Sequence, residues 1–399
     1  MGRTIDGGII TMMRRLKNRG SLLGLVIAFA LVAAACAAST PAETTTEAPT
    51  ATVAPTTSTT AAPVTTEPAG TTTTLAPPEA FKVCQVSDTG GIDDKGFNET
   101  AWLGAQRAAA EIEGVTEAKF LESQSPADFR PNIDSFIDEG CDLIVTVGFL
   151  LADDTQAAAQ DNPDAKFAII DFPGLEPNIR GLTFATEEAA YLAGYLAAGV
   201  TKTGIVGTYG GINIPPVTVF MDGFFYGVQA YNDAKGTSVR VLGWDPTNPD
   251  SGLFTGNFES TDDGLTFGQN LIDEGADILF PVAGPVGLGS AQAALDNPGV
   301  MMIGVDADQF VSTPAEFQPV WLTSVLKRMD NAVFATVKNV VTLGSLGNPY
   351  TGTLANDGVG LAPYHDLSGA VSDELAAEVE ALRQGIINGT VTVIPAMDG

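Results

Sequence analysis

From Phe81 onward the sequence alternates short apolar runs, Gly/Asp-rich turns and helical patterns, and it does so in two consecutive blocks. FKVCQVS, KFLES, DLIVTVG and KFAIIDF are the strand candidates of the first block. TGIVGTYGG, SVRVLGW, ADILFPVAG, VMMIGVDAD and PVWLTSV are those of the second. Continuous apolar runs of this length suit parallel strands covered on both faces. Helical patterns separate them. After the DD turn, Phe97, Ala101, Ala105, Ala108 and Ile112 fall on one face. GLTFATEEAAYLAGYLAAGV closes the first block with an alanine-rich helix, and VTVFMDGFFYGVQAYNDA and LKRMDNAVFATVKNVV are helices of the second. Two such blocks predict an α/β protein of two doubly wound, parallel-sheet lobes. Ligands of open α/β sheets bind outside the carboxyl ends of the strands. Two facing lobes therefore put their strand ends around one cleft.

The segment before Phe81 has a different character. Arg14, Arg15, Lys17 and Arg19 precede the apolar run SLLGLVIAFALVAAA, which is short for a membrane span and right for a signal-peptide core. Met12 and Met13 are alternative starts. Ala33-Ala34-Ala35-Cys36 resembles a bacterial lipobox, with alanine where leucine is usual, so residues 1–35 read as a lipoprotein signal peptide and Cys36 as the lipidated residue. Residues 36–80 are Thr/Pro/Ala-rich with little to bury, as expected of a disordered tether. The remaining 319 residues suffice for two lobes with real cores: 81–200 for the first and 201–309 for the second.

The chain carries a net charge of −29; five of its 19 basic and one of its 48 acidic residues precede Cys36, which leaves −33 after it. Such a surface repels nucleic acid and phosphorylated ligands. Of the three cysteines, Cys84 and Cys141 remain as an even pair in an exported protein, open to a disulfide or to two buried thiols.

VSDTGGIDDKGFNETAW, directly after the first strand candidate, poses the functional question. Its aspartates are similar to the calcium-holding loop of nucleoside hydrolases, but Gly90 stands where that loop carries a further carboxylate, and calcium needs six to eight oxygens. His365, the one histidine, lies far downstream in APYHD and reads as a turn residue bonded to backbone. No catalytic set and no metal cluster can be assembled around it, so the loop reads as a ligand grip without enzymatic activity and without a cofactor. Candidate cleft residues at strand ends are Asp88, Asp93, Asp94, Phe97 and Asn98, then Gly148, Phe149, Asp171 and Phe172. The second block adds the glycine-rich turn AGPVGLG with Gly284, then Asp306, Asp308 and Lys327. Asp93 or Asp94 also suits capping of the following helix. Lys95, Lys327 and Arg328 are the only cations near these ends, which favours a neutral ligand.

FKVCQVSDTGGIDDKGFNETAW resembles the opening of the basic membrane lipoprotein family, the PnrA-like substrate-binding proteins of ABC transporters. FATEEAAYLAGYLAA, GGINIPPVTVFMDGFFYGVQAYN, GADILFPVAGPVGLGSAQAA, IGVDADQ, LTSVLKRMDNAV and GVGLAPYHD continue the likeness across 81–370. The resemblance implies a type I periplasmic-binding-protein fold whose lobes are joined by hinge strands, with 310–399 crossing the hinge and completing the first lobe. It implies a monomer on the outer face of the cell membrane, a permease and its ATPase as partners, and a purine nucleoside as ligand. It assigns base stacking to Phe97 and to Phe224, with Phe280 as rival. Asp306 and Lys327 take the ribose, Asp88 and Asn98 the base edge or sugar, and Gly148 and Gly284 permit close backbone approach. Pro285 stands where the family usually has glycine, which stiffens the loop and removes an N–H donor. The alternatives are a binding protein for a sugar or signalling molecule, and the hydrolase-like enzyme.

Overall fold

The computed structural model describes residues 80–395. The signal segment, Cys36 and nearly all of the tether lie outside the described residues. The first sheet is built from β1 (Phe81–Val86), β2 (Val115–Leu121), β3 (Leu143–Val147), β4 (Phe167–Ile170) and β5 (Ile179–Phe184), with α1 (Phe97–Glu111), α2 (Phe129–Asp138) and α3 (Ala152–Asp161) between them. After α4 (Thr186–Val200) the pattern restarts. β6 (Ile205–Gly210), α5 (Pro215–Lys235), β7 (Arg240–Leu242), α6 (Thr261–Asp273), β8 (Ile278–Val282), α7 (Val286–Asp296) and β9 (Met301–Asp306) follow. The chain ends with α8 (Gln309–Ser312), β10 (Trp321–Lys327), α9 (Met329–Leu343), β11 (Tyr350–Gly352), β12 (Val359–Leu361) and α10 (Asp373–Ile387).

The strands form two six-stranded sheets, ordered β11-β5-β4-β3-β1-β2 and β12-β10-β9-β8-β6-β7. Among the described residues all strand pairings are parallel except β10 with β12. Helices cover both faces of each sheet. In the first lobe α1 and α9 pack on one face and α2 and α3 on the other. In the second, α4, α5 and α10 pack on one face and α6 and α7 on the other. This is the type I periplasmic-binding-protein architecture.

The chain passes between the lobes three times: from β5 to α4, from β10 to α9 and from β11 to β12. Backbone bonds tie these crossings together. The Ala185 N–H donates to the Gly352 carbonyl (2.8 Å) and the Arg328 N–H to that of Gly358 (2.9 Å). The boundary expected at residue 200 therefore moves to about 185, because α4 buries its apolar surface against the second lobe's strands. The sequence reading also missed β5. Its run IRGLTF is broken by Arg180, which is buried and satisfied by Thr336 Oγ1 (3.0 Å) and the Asn348 carbonyl (2.9 Å). α9 begins at Met329 rather than Leu326, because Leu326 and Lys327 are held in β10 by pairing with Asp306 and Val359. Cys84, inside β1, and Cys141, just before β3, are joined by a disulfide with Cα atoms 6.1 Å apart.

Candidate ligand-binding cleft

The strand order reverses at β1/β3 in one sheet and at β6/β8 in the other, the place where doubly wound sheets bind ligands. The segments leaving these strands converge on one cavity, a concave, largely apolar place with a few polar groups, as small-molecule sites are. The first lobe contributes Asp88, Gly90, Asp94, Phe97, Asn98, Gly148, Phe149 and Asp171. The second contributes Ile214, Val217, Phe220, Phe258, the Val282–Pro285 turn, Asp306 and Lys327. The walls are mainly aromatic and aliphatic, with carboxylates at a few points.

The aspartate loop is organised from within. Asp94 accepts the backbone N–H groups of Gly96 (3.0 Å), Asn98 (2.8 Å) and Glu99 (3.1 Å), so it caps α1, which begins at Phe97. Asn98 Nδ2 donates to Asp94 (3.1 Å) and to Asp88 Oδ1 (2.9 Å), while Asn98 Oδ1 accepts the Asp88 N–H (3.2 Å). Both residues line the cavity, yet their polar atoms are engaged with the loop itself. Their structural role is to hold Asp88 in place. Asp88 Oδ1 also accepts the Gly90 N–H (3.3 Å), and among the described residues no donor meets Oδ2. Burial pushes the Asp88 carboxyl up to about 6, against the pull of Asn98 and Gly90. Burial raises Asp94 as well, against its four hydrogen bonds.

Gly148 explains how Asp88 and Phe97 come so close to β3. At its φ of 115° a Cβ would lie 3.0 Å from Asp88 Oδ2 and 3.3 Å from the Phe97 ring. Gly284, at φ 56°, turns the second lobe's loop into α7, with Pro285 immediately before the helix.

Lys327 is the one cationic side chain among the described residues lining the cavity. It pairs with Asp171 of the first lobe, at 2.5 Å and almost fully buried. Its ammonium also lies 4.7 Å from the Phe97 ring centroid and 5.9 Å from that of Phe220, a cation–π setting. Among the described residues no hydrogen-bond donor reaches the Asp306 carboxylate. Burial raises it to about 7, opposed by Lys327 and reinforced by Asp171, Asp94 and Asp88. Asp171 and Asp306 both have left-handed backbone (φ 66° and 67°), which aspartate tolerates better than most residues.

Phe224 is not on the cavity wall. It is fully buried in the second lobe's core with its ring 4.9 Å from that of Phe280, which is equally buried. Phe220, one helical turn earlier on α5, lines the cavity instead. The spacing of four residues put both on the same helical face, and only tertiary packing separates them. Phe258 gave no signal, because it belongs to the long loop between β7 and α6 rather than to a strand end. Its ring lies against Gly211, where a Cβ would come within 2.3 Å of it. Phe172 packs on Phe149 (6.1 Å), and Arg328 pairs with Asp330 (3.2 Å). His365 is bonded not to backbone but to Asp308 Oδ2 (2.8 Å).

A family model described as ABC transporter substrate-binding protein PnrA-like matches residues 81–396. The ABC transporter nucleoside-binding protein BmpA of Lactococcus lactis is 30% identical over 329 residues, covering 78% of this chain and 88% of its own. An uncharacterized lipoprotein of Pyrococcus furiosus is 33% identical over 302 residues, covering 73% of this chain and 71% of its own. Among solved structures, an ABC transporter solute-binding protein from Aeropyrum pernix aligns at 29% identity and a TM-score of 0.70, over 79% of this chain and 94% of that one. With two lobes, one interlobe cavity and a family match spanning all but the N-terminal region, the chain belongs to the PnrA-like family of ABC transporter substrate-binding proteins.

Proposed function

We infer that the cavity takes a purine nucleoside and that the loaded protein delivers it to an ABC permease powered by its ATPase. The observation that carries this reading is the pairing of aromatic faces with carboxylate oxygens on opposite lobes, Asp88 Oδ2 and those of Asp306, that line the cavity. Phe97 and Phe220 offer faces for a base, and stacking contributes about 1–3 kcal/mol per base. Asp306 is an acceptor for ribose hydroxyls, and Asp88 Oδ2 for N–H groups of the base edge. Lys327, held by Asp171, donates beside them. The Lactococcus relative is named as nucleoside-binding, which agrees. A phosphate group does not fit, because Asp88, Asp94, Asp171 and Asp306 surround a single, already paired lysine. The protein acts by closing two lobes on the ligand, not by transforming it. Cys36, once lipidated, would hold it as a monomer at the outer face of the membrane through the Thr/Pro/Ala tether.

Pro285 favours a second reading, another neutral polar ligand such as a sugar or signalling molecule, because it removes one N–H from the loop at the second lobe's switch point. A thermal-shift titration against nucleosides, bases, nucleotides and sugars separates these. A nucleoside at a hundred times its dissociation constant adds about 2.7 kcal/mol of stability. A shift with sugars and none with nucleosides would favour the second reading. Release of free base on incubation with nucleosides would overturn both in favour of a hydrolase.

A further inference from the structure

Lys95 has left-handed backbone (φ 59°), uncommon for a residue with a Cβ. Its carbonyl meets the second lobe: Ser312 Oγ donates to it at 2.8 Å and Gln309 Nε2 at 3.1 Å. Both donors belong to α8, and neither residue lines the cavity. The two sides of this contact are braced independently. On the loop, Asp94 holds the amides of Gly96, Asn98 and Glu99, and the Lys95 ammonium pairs with Asp93 at 2.6 Å. Behind α8, the Gln309 N–H donates to Ser324 Oγ (3.0 Å). His365 shares a hydrogen bond with Asp308 (2.8 Å), and its ring stacks on Phe310 at 4.1 Å. The gripped loop is the one that carries Phe97 into the cavity and orients Asp88.

A contact between lobes that spares the ligand stabilises the closed form alone. It therefore shifts the closing equilibrium without changing which ligand is preferred. We propose that Ser312 and Gln309 form an interlobe catch, positioning residues that grip the Lys95 carbonyl and set how slowly a bound ligand leaves. The kinetic part of the test rests on the nucleoside reading of the cleft, whereas the catch itself does not.

The experiment compares the protein with Ser312→Ala, the hydroxyl-retaining Ser312→Thr, and Val311→Ala, a control at an exposed neighbour on α8. Amide hydrogen exchange of residues 90–98 is followed without ligand, and dissociation of adenosine and of guanosine is followed by displacement. One net hydrogen bond is worth about fivefold in an equilibrium. Ser312→Ala is expected to exchange faster in this loop and to release each nucleoside about fivefold faster with their ratio unchanged. Ser312→Thr should restore both, and Val311→Ala should change neither. If neither nucleoside binds the unaltered protein, the nucleoside reading fails and loop exchange alone decides the catch. Unchanged loop exchange with unchanged dissociation overturns it. So does an altered adenosine-to-guanosine ratio, or an equal effect from Val311→Ala.

Discussion

Lys327 Nζ, at the end of β10 in the second sheet, lies 2.5 Å from Asp171 Oδ2, just past β4 in the first. The pair is nearly inaccessible to water and joins the two lobes at the cavity wall. Removing one partner of a buried pair costs about 3–5 kcal/mol, because the other charge is left stranded. Lys327→Met is therefore expected to lower the thermal midpoint and abolish ligand binding. Adding Asp171→Asn to it should recover much of the stability but not the binding. Thermal melts and calorimetric titration of both variants check this. Full binding by the double variant would show that Lys327 has no ligand role.

Phe97 and Phe220 line the cavity, whereas Phe224 belongs to the core. Phe97→Ala and Phe220→Ala are expected to weaken nucleoside affinity by about 1–3 kcal/mol each. Phe224→Ala should instead cost about 3–5 kcal/mol of folding stability. Denaturant melts and titrations of the three variants separate the classes. A Phe97→Ala protein that binds as tightly as the original would remove the stacking assignment.

The contrast between Phe220 and Phe224 marks the limit of what the sequence could disclose. Strand ends were legible because a buried parallel strand is a continuous apolar run, and its last residue names a place in the fold. Asp88, Gly148, Asp306 and Lys327 were found that way, and all line the cavity. The phenylalanines on α5 share one face, and periodicity cannot say where along a helix the core gives way to the cleft. Phe258 was invisible because the loop between β7 and α6 doubles back onto Gly211, a long-range fact. Residue type alone could not divide labour within the aspartate loop either. Asp94 and Asn98 line the cavity beside Asp88, and only the structure shows that they also hold the loop together.

The Cys84–Cys141 disulfide closes a loop across 57 positions that includes the aspartate loop and α1. Chain-entropy arguments give about 4 kcal/mol for a loop of this length, and measured effects are commonly about 2–4 kcal/mol. Reduction, or Cys84→Ala with Cys141→Ala, is expected to lower the unfolding free energy by that amount and to move the denaturant midpoint down accordingly. An unchanged midpoint under reducing conditions would mean that the bridge contributes nothing to stability.

Asp88 and Asp306 face the same cavity from opposite lobes, and burial raises their carboxyls from 3.8 to about 6 and about 7. The folded protein holds protons there at pH values where the unfolded chain has released them. Their contribution to stability is thus fully present below pH 3.8 and is lost as pH rises through about 6 and about 7. Ligand donors act in the opposite sense, because hydrogen bonds to the charged carboxylates favour ionisation. Nucleoside affinity is therefore expected to rise from about pH 5 to about pH 7 and then level off, with proton release on binding over the same range, at and below the two carboxyl values. Calorimetric titrations in two buffers of different ionisation enthalpy measure that release directly. Asp306→Asn should remove its upper part near pH 7 and leave the part near pH 6 that belongs to Asp88. An affinity that stays flat across this range would mean that the ligand makes no hydrogen bond to either carboxylate, and the donor assignments at both ends of the cavity would fall together.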